Sequence, residues 1–364
     1  MRFGLLYELS MPEIGWMTEE QVYWEAIEQI SLADAVGFDN AWCVEHHFLP
    51  PFSYCSAPEV FLAAVAQHTK TMRIGHGVRL IPPPYNSPPR TAEAGAVLDI
   101  LSKGRLEFGF GRSITLTEME GFNVNPADTR SMANEAIREI VKMWTQSPYP
   151  GYTGKHYSMP ERDVVPKPLQ KPHPPLWMSG SNPDSYVLAG ELGVGCLTFG
   201  ATTPGKIAPD IPKYKNAVAN PKTPVSSVIN NKYGCVSMMF CDEDSKRAMQ
   251  IGGAALLWFS DYANRIYKPH GDMKLPGYES YWERTSSVEW INTHNMFRDP
   301  KDDMFGLIGD PDKITRTIQE YEALGVDQLI FMVQCGKISH ADTLRSLTMF
   351  GKEVIPRFRE AAAA

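Results

Sequence analysis

The sequence predicts a single (β/α)8 TIM barrel with insertions after strands 4–5 and 7. Strand-like and helix-like stretches alternate along the chain, giving about eight strands, each followed by a helix. The first strand runs into Glu8-Leu9-Ser10-Met11-Pro12 without a glycine cluster. A doubly wound sheet, the alternative architecture, usually announces a Gly-rich phosphate loop at that point. At 364 residues two domains are conceivable, but barrels with insertions reach this length as one. One domain over residues 1–358 is therefore expected, with residues 359–364 as a disordered tail.

Phe3–Leu9 reads as the first strand. Thr18-Glu19-Glu20-Gln21 is a capping box, in which two side chains satisfy N–H groups left over at a helix start. It opens a helix to about Val36, stopped by Gly37. Asn40–Val44 is the second strand, and Pro58–Thr69 a helix with proline in its first turn. Arg73–Leu80 is the third strand and Pro88–Leu101 its helix. Leu106–Gly111 is the fourth strand, and the helix Thr129–Thr145 follows a polar loop. Leu176–Ser179 is a short fifth strand with a helix through Gly190, and Val194–Leu197 is the sixth. Lys232–Cys241 is the seventh, before a helix from Asp244 to about Tyr262. Asp310-Pro311 opens a helix ending at Leu324-Gly325. Gln328–Val333 is the last strand and Ala341–Phe358 the closing helix. Three stretches break the pattern. Ser147 to Pro175 holds eight prolines and reads as an extended loop or small hairpin. Thr202 to Thr223 is polar and proline-punctuated. Pro269 to Asp303 has no period and is placed like a lid.

The net charge of −7 argues against nucleic acid or an anionic membrane as the main partner. Six scattered cysteines without a Cys-x-x-Cys pair read as thiols in a reducing cytoplasm. Met1-Arg2 leads into a strand rather than a signal peptide. Met249 to Ser260 is uncharged but too short to span a bilayer.

Glu45-His46-His47 carries the clearest chemical signal, at the tip of the second strand, where barrels carry their chemistry. A metal site is disfavoured, because adjacent strand residues point to opposite faces and cannot easily share an ion. Two readings stay open: histidines held by loop hydrogen bonds, or one histidine in acid–base work facing the barrel mouth. Phe108-Gly109-Phe110-Gly111 has one aromatic and one bare face, so a ligand or a neighbouring layer can approach closely. Arg112, at that strand's tip, can fork onto a phosphate or form a surface salt bridge. In Ser179-Gly180-Ser181-Asn182-Pro183-Asp184-Ser185, Asn182 suits an N-cap and Pro183 the first helical position. The segment is an anion site or a plain capped helix, with Asp184 counting against the anion. Gly77 admits a planar ligand or close packing. Tyr85 can line a pocket, and Trp258, beside Phe259 and Tyr262, belongs to core or pocket wall.

Taken together these residues resemble the bacterial luciferase-like flavin-dependent monooxygenase family. The matching pieces are Gly37-Phe38-Asp39, Glu45-His46-His47-Phe48, Thr71-Met72-Arg73-Ile74-Gly75, Ser102-Lys103-Gly104-Arg105, Gly309-Asp310-Pro311 and the ending Phe350 to Pro356. The resemblance implies reduced FMN bound at the C-terminal face of the barrel and supplied by a separate NAD(P)H-dependent flavin reductase. It implies that O2 and this flavin oxygenate a small organic substrate through a flavin peroxide, and that the chain forms a homodimer. Position by position, His46 matches the acid–base histidine and Gly77-Val78 a peptide beneath the flavin ring, sometimes cis. Arg112 matches the phosphate arginine, and Gly180, Ser181, Asn182 and Ser185 fall in the phosphate loop. Ser113 stands where the family often has glycine. Tyr85 and Trp258 are the expected substrate-pocket residues, and no metal is expected. The alternatives are a deazaflavin- or flavin-dependent oxidoreductase of the same fold without oxygen insertion, and a flavin-binding protein without catalysis.

Overall fold

The computed structural model describes residues 1–199, 203–267, 278 and 307–360. Apart from Tyr278, the stretch expected as a lid lies outside the described residues, as do residues 361–364. Parallel strands close into a barrel: β1 (Arg2–Tyr7), β2 (Asn40–Cys43), β3 (Arg73–His76), β4 (Leu106–Gly111), β5 (Leu176–Gly180), β6 (Gly195–Thr198), β7 (Tyr233–Cys241) and β8 (Gln328–Met332). Each pairs with the next. The ring closes where Arg2 to Leu6 of β1 run beside Gln328 to Met332 of β8. Closure removes the edges that an open sheet would expose. Helices cover the outside and side chains fill the inside, so the strands read as almost continuously buried runs. All nine residues of β7 are buried.

The expected capping box forms as drawn. Gln21 N–H donates to Thr18 Oγ1 at 3.1 Å, and Thr18 N–H donates to the Gln21 amide oxygen at 2.8 Å. The helix it opens spans Glu19–Ala35.

The bare face of β4 serves neighbouring protein. A Cβ on Gly109 would run into the carbonyl oxygen of His76, and one on Gly111 would meet Val78 Cγ2 at 2.5 Å. Gly75 likewise leaves room for the Trp42 ring, and Gly77 for Leu6 and Trp42. The close approach is therefore between layers of the barrel wall.

Five expectations are corrected. The third strand is not continuous: β3 stops at His76 and pairing resumes at Arg79–Leu80, with a cis Gly77–Val78 peptide between. The polar stretch from Thr202 contains two helices, Pro204–Ile207 and Ile211–Ala219. Pro204 and Pro212 fall in first turns, where a missing N–H costs nothing, while Pro209 and Pro221 lie outside the helices. Ile211, Tyr214 and Val218 make a buried stripe at helical spacing. A further strand, Leu307–Gly309, adds to the outer end of β7. The helix expected from Asp244 is broken by a wider turn over Met249–Gly253, where Gly252 packs on Phe240, and continues to Tyr267. The closing helix runs through Glu360, so Arg359 belongs to it rather than to a tail, and its guanidinium donates to Asp39 at 2.6 Å. Within Ser147 to Pro175 a small hairpin pairs Tyr152–Thr153 with Ser158–Met159.

Among the described residues no helix is long and apolar enough to cross a membrane. The cysteines, at 43, 55, 196, 235, 241 and 335, are all buried.

Candidate active site

A pocket opens at the C-terminal ends of the strands. Residues from β1 to β5 and the segments that follow them meet there, including Glu8, His46, Val78, Arg112 and Ser181. Its wall is largely apolar, with Val44, Phe110, Met178, Phe199, Val236 and Phe259 among the lining side chains.

His46 and His47 turn apart. His46 lines the pocket. Its Nδ1 lies 2.9 Å from Glu118 Oε1, and its Nε2 faces Glu8 Oε2 at 3.8 Å. His47 points into a separate aromatic cluster, with Phe122 at 4.8 Å and Tyr85 at 6.5 Å between ring centroids. Glu45 holds this second histidine at 3.1 Å. It also accepts from Leu80 N–H at 2.9 Å and the Asn86 amide at 2.7 Å, tying β2 to the end of the split third strand. Adjacent residues facing opposite ways, the argument against a shared ion, describe the pair well. Among the described residues no group of His, Cys, Asp and Glu is placed to hold a metal ion.

Glu118 was not foreseen. It sits on a short helix, Leu116–Gly121, and is completely buried. One oxygen takes His46 and the His47 N–H (3.0 Å); the other takes Ser113 Oγ (3.1 Å) and Thr115 Oγ1 (2.5 Å). Burial raises its pKa, but His46 and these donors outweigh burial and hold it below the usual carboxylate value. The signal was present: Thr115-x-x-Glu118 is a capping pattern, and Thr115 caps this helix.

Burial lowers the pKa of His46, but Glu118 beside it, then Glu8 and Glu45, push it up to about 9. Glu8 is the reverse case. Burial lifts its carboxyl to about 7, against the pull of His46 and with a push from Glu118. Glu8 Oε2 is buried without a hydrogen-bond partner among the described residues. At neutral pH the pocket thus holds a protonated imidazole beside a carboxyl poised near neutrality, an arrangement suited to proton transfer.

The other polar end of the pocket is cationic. Arg112 stands at the tip of β4, and Arg130, from the helix Thr129–Thr145, lines the same pocket. Ser113 takes φ 73°, the left-handed conformation that glycine adopts without strain, so the departure from glycine leaves that backbone turn available. Asn182 caps the helix Pro183–Glu191, as its position implied. The cap is reciprocal, however: Ser185 Oγ accepts from Ser181 N–H and Asn182 N–H, both at 3.1 Å, and Ser185 N–H donates to Asn182 Oδ1 at 2.9 Å. Ser181, Asn182, Ser185 and Gly180 all line the pocket, but the Ser185 hydroxyl already serves the cap.

Two expected pocket residues lie elsewhere. Trp258 points off the pocket and donates its indole N–H to the Pro12 carbonyl at 2.8 Å; the same helix presents Phe259 and Ala263 instead. Tyr85 packs behind His47 against Phe122, at 4.8 Å between centroids. One face of a helix cannot be assigned from sequence until its neighbours are placed, which is why the choice among Trp258, Phe259 and Tyr262 failed.

A flavin-type cofactor, with a flat ring and a phosphate, fits this donor set. Arg112, Arg130, Ser181 and the helix start offer charge and hydrogen bonds to a phosphate. The apolar wall of Val78, Phe110, Met178 and Phe199 suits a flat ring, with a proton-handling cluster beside it.

Known proteins resemble this chain over most of its length. The family profile described as luciferase-like monooxygenase matches residues 1–328. The oxygenase component of the flavin-dependent trigonelline monooxygenase of Acinetobacter baylyi is 26% identical over 370 residues, covering 99% of this chain and 96% of that protein. Among solved structures, the oxygenating constituent of 3,6-diketocamphane monooxygenase of Pseudomonas putida, in complex with FMN, superposes with a TM-score of 0.75 at 19% identity, over 98% of each chain. The coenzyme F420-dependent tetrahydromethanopterin reductase of Methanopyrus kandleri superposes with a TM-score of 0.70 at 20% identity, over 98% of this chain and 99% of that one. Likeness at these structural identities is likeness of fold.

Proposed function

The chain belongs to the luciferase-like monooxygenase family, and on that premise we propose that it is an FMN-dependent monooxygenase acting on a small organic substrate. The observation that carries this reading is one pocket with two ends: His46 between Glu118 and Glu8, and Arg112 with the Ser181–Ser185 helix start. When bound, reduced FMN supplies the electrons that activate O2. Arg112, Ser181 and the start of the helix Pro183–Glu191 would hold its phosphate, and Val78 and Gly180 line the same pocket. Glu118 fixes the His46 ring through Nδ1, so Nε2 is the atom that gives or takes the proton in the pocket. Between about pH 7 and about pH 9, Glu8 is ionised while His46 keeps its proton. The apolar wall excludes water from the reacting centre. Similarity to a protein named as an oxygenase component supports delivery of reduced flavin by a separate reductase.

The reading is tested by giving the protein chemically reduced FMN, a substrate panel and 18O2. Product carrying one labelled oxygen is the expected result. The second reading, hydride transfer from a deazaflavin without oxygen, is favoured by the likeness to the F420-dependent reductase. It predicts unlabelled product formed without air.

Arg112→Ala is expected to weaken FMN binding about 10- to 100-fold, the worth of a charge-assisted pair, and to change riboflavin binding less than about twofold. Fluorescence titration with both flavins measures this. Equal losses for the two would remove Arg112 from the phosphate site.

A further inference from the structure

Tyr278 comes from the long insertion between β7 and β8, yet it is buried at the tip of β4, 3% exposed. Its ring lies under the Arg112 guanidinium, 4.1 Å from centroid to Cζ. Its hydroxyl donates to the Ser113 carbonyl at 3.1 Å and lies 3.0 Å from Thr129 Oγ1. Thr129 Oγ1 in turn accepts from Arg112 Nη1 at 3.0 Å and donates to the Pro126 carbonyl at 2.8 Å. Arg112, Ser113 and Thr129 are thus joined through one phenol.

We propose that Tyr278 is a positioning residue that sets Arg112 for the cofactor phosphate and thereby sets the preference for a phosphorylated flavin over an unphosphorylated one. The inference rests on the assignment of Arg112 to that phosphate. A guanidinium on a strand tip has several rotamers to lose before it can grip an anion in fixed geometry. Stacking on an aromatic face removes that freedom in advance. It engages the flat face of the guanidinium and not the N–H edge through which the group forks onto a phosphate. The hydroxyl fixes the next link as well, because it holds the carbonyl of Ser113, whose left-handed φ of 73° aims the strand end. Phosphate recognition is therefore completed by a residue from a distant segment, the insertion between β7 and β8, rather than by a sequence neighbour of the arginine it serves.

The test is a double-mutant cycle read as binding of FMN and of riboflavin. Tyr278→Leu removes ring and hydroxyl, and is expected to weaken FMN binding about tenfold, between the worth of an exposed and a fully desolvated cation–π contact. Riboflavin binding should move less than about twofold. Tyr278→Phe keeps the ring and loses only the hydroxyl bonds; about a threefold loss for FMN alone is expected, and this variant decides the matter if the leucine variant fails to fold. In the Arg112→Ala background Tyr278→Leu should have no further effect on FMN. Equal losses for both flavins, no loss for FMN, or full additivity with Arg112→Ala would each overturn the proposal. The two layers separate cleanly. If Arg112→Ala itself spares the FMN preference, the phosphate assignment fails; if it abolishes the preference and Tyr278→Leu does not lower it, only the role of Tyr278 fails.

Discussion

His46→Ala is expected to bind FMN within about twofold of the native protein and to lose about 10²- to 10⁴-fold of substrate-dependent oxygen consumption, the usual contribution of a positioned acid–base group. The split follows from where the ring sits. His46 lies at the Glu8 end of the pocket and Arg112 at the phosphate end, so truncating the imidazole leaves the anchors for the cofactor in place. It also leaves two buried carboxylates facing each other across the gap. Glu8 already sits at about 7, lifted by burial and held down by His46. Without the imidazole its pKa rises further, and it is protonated at neutral pH. Glu8 then has no protonated partner to exchange with, and rescue by the remaining carboxyl is not expected. Unchanged product formation with supplied reduced FMN would sink the acid–base role. Loss of FMN binding in step with turnover would move His46 from chemistry to cofactor recognition.

What could be read from the sequence follows from the range of each interaction. Barrel strands are short apolar runs bounded by turn residues, a local signal, so every member of the closed ring is legible, with ends displaced by at most two residues except in the third strand, which breaks at Gly77. His46 was readable because its place at a strand tip is local too. Its partner Glu118 is 72 residues away and is brought to it only by the turn after β4. Glu8 was read as the absence of a phosphate loop, since nothing in Glu8-Leu9-Ser10 tells that one carboxyl oxygen is left unsatisfied in a pocket wall. The helices after β6 are not legible for a different reason: Thr202 to Thr223 is polar and proline-punctuated, yet Pro204 and Pro212 stand in first turns, where proline is compatible with a helix. Ser185 is placed in the phosphate loop by the family resemblance, whereas its bonds within the chain follow from local spacing, since the same offset builds the reciprocal cap with Asn182.

Glu118→Gln is expected to move the alkaline limb of the pH–kcat/KM profile downward by about one to two units, and to leave FMN affinity unchanged. The native limb reports His46, which keeps its proton up to about 9 because Glu118, Glu8 and Glu45 outweigh its burial. Glutamine keeps the shape of the side chain and can present its carbonyl oxygen to Nδ1, so the ring stays in place. Its amide end meets Ser113 and Thr115, whose hydroxyls can turn to accept. What it removes is the negative charge 2.9 Å from the imidazole. With that charge gone, burial carries more weight, and the proton leaves nearer the ordinary histidine value. Activity therefore falls most at the alkaline side and least near pH 7, where the variant ring still carries part of its proton. A purely structural role for Glu118 would act differently, lowering the melting temperature and the rate at every pH by the same factor. An unmoved limb in a folded Glu118→Gln protein would show that the charge of Glu118 does not govern His46. Nitrogen chemical shifts of the His46 ring, followed through pH 6 to 10, give the same answer without any substrate.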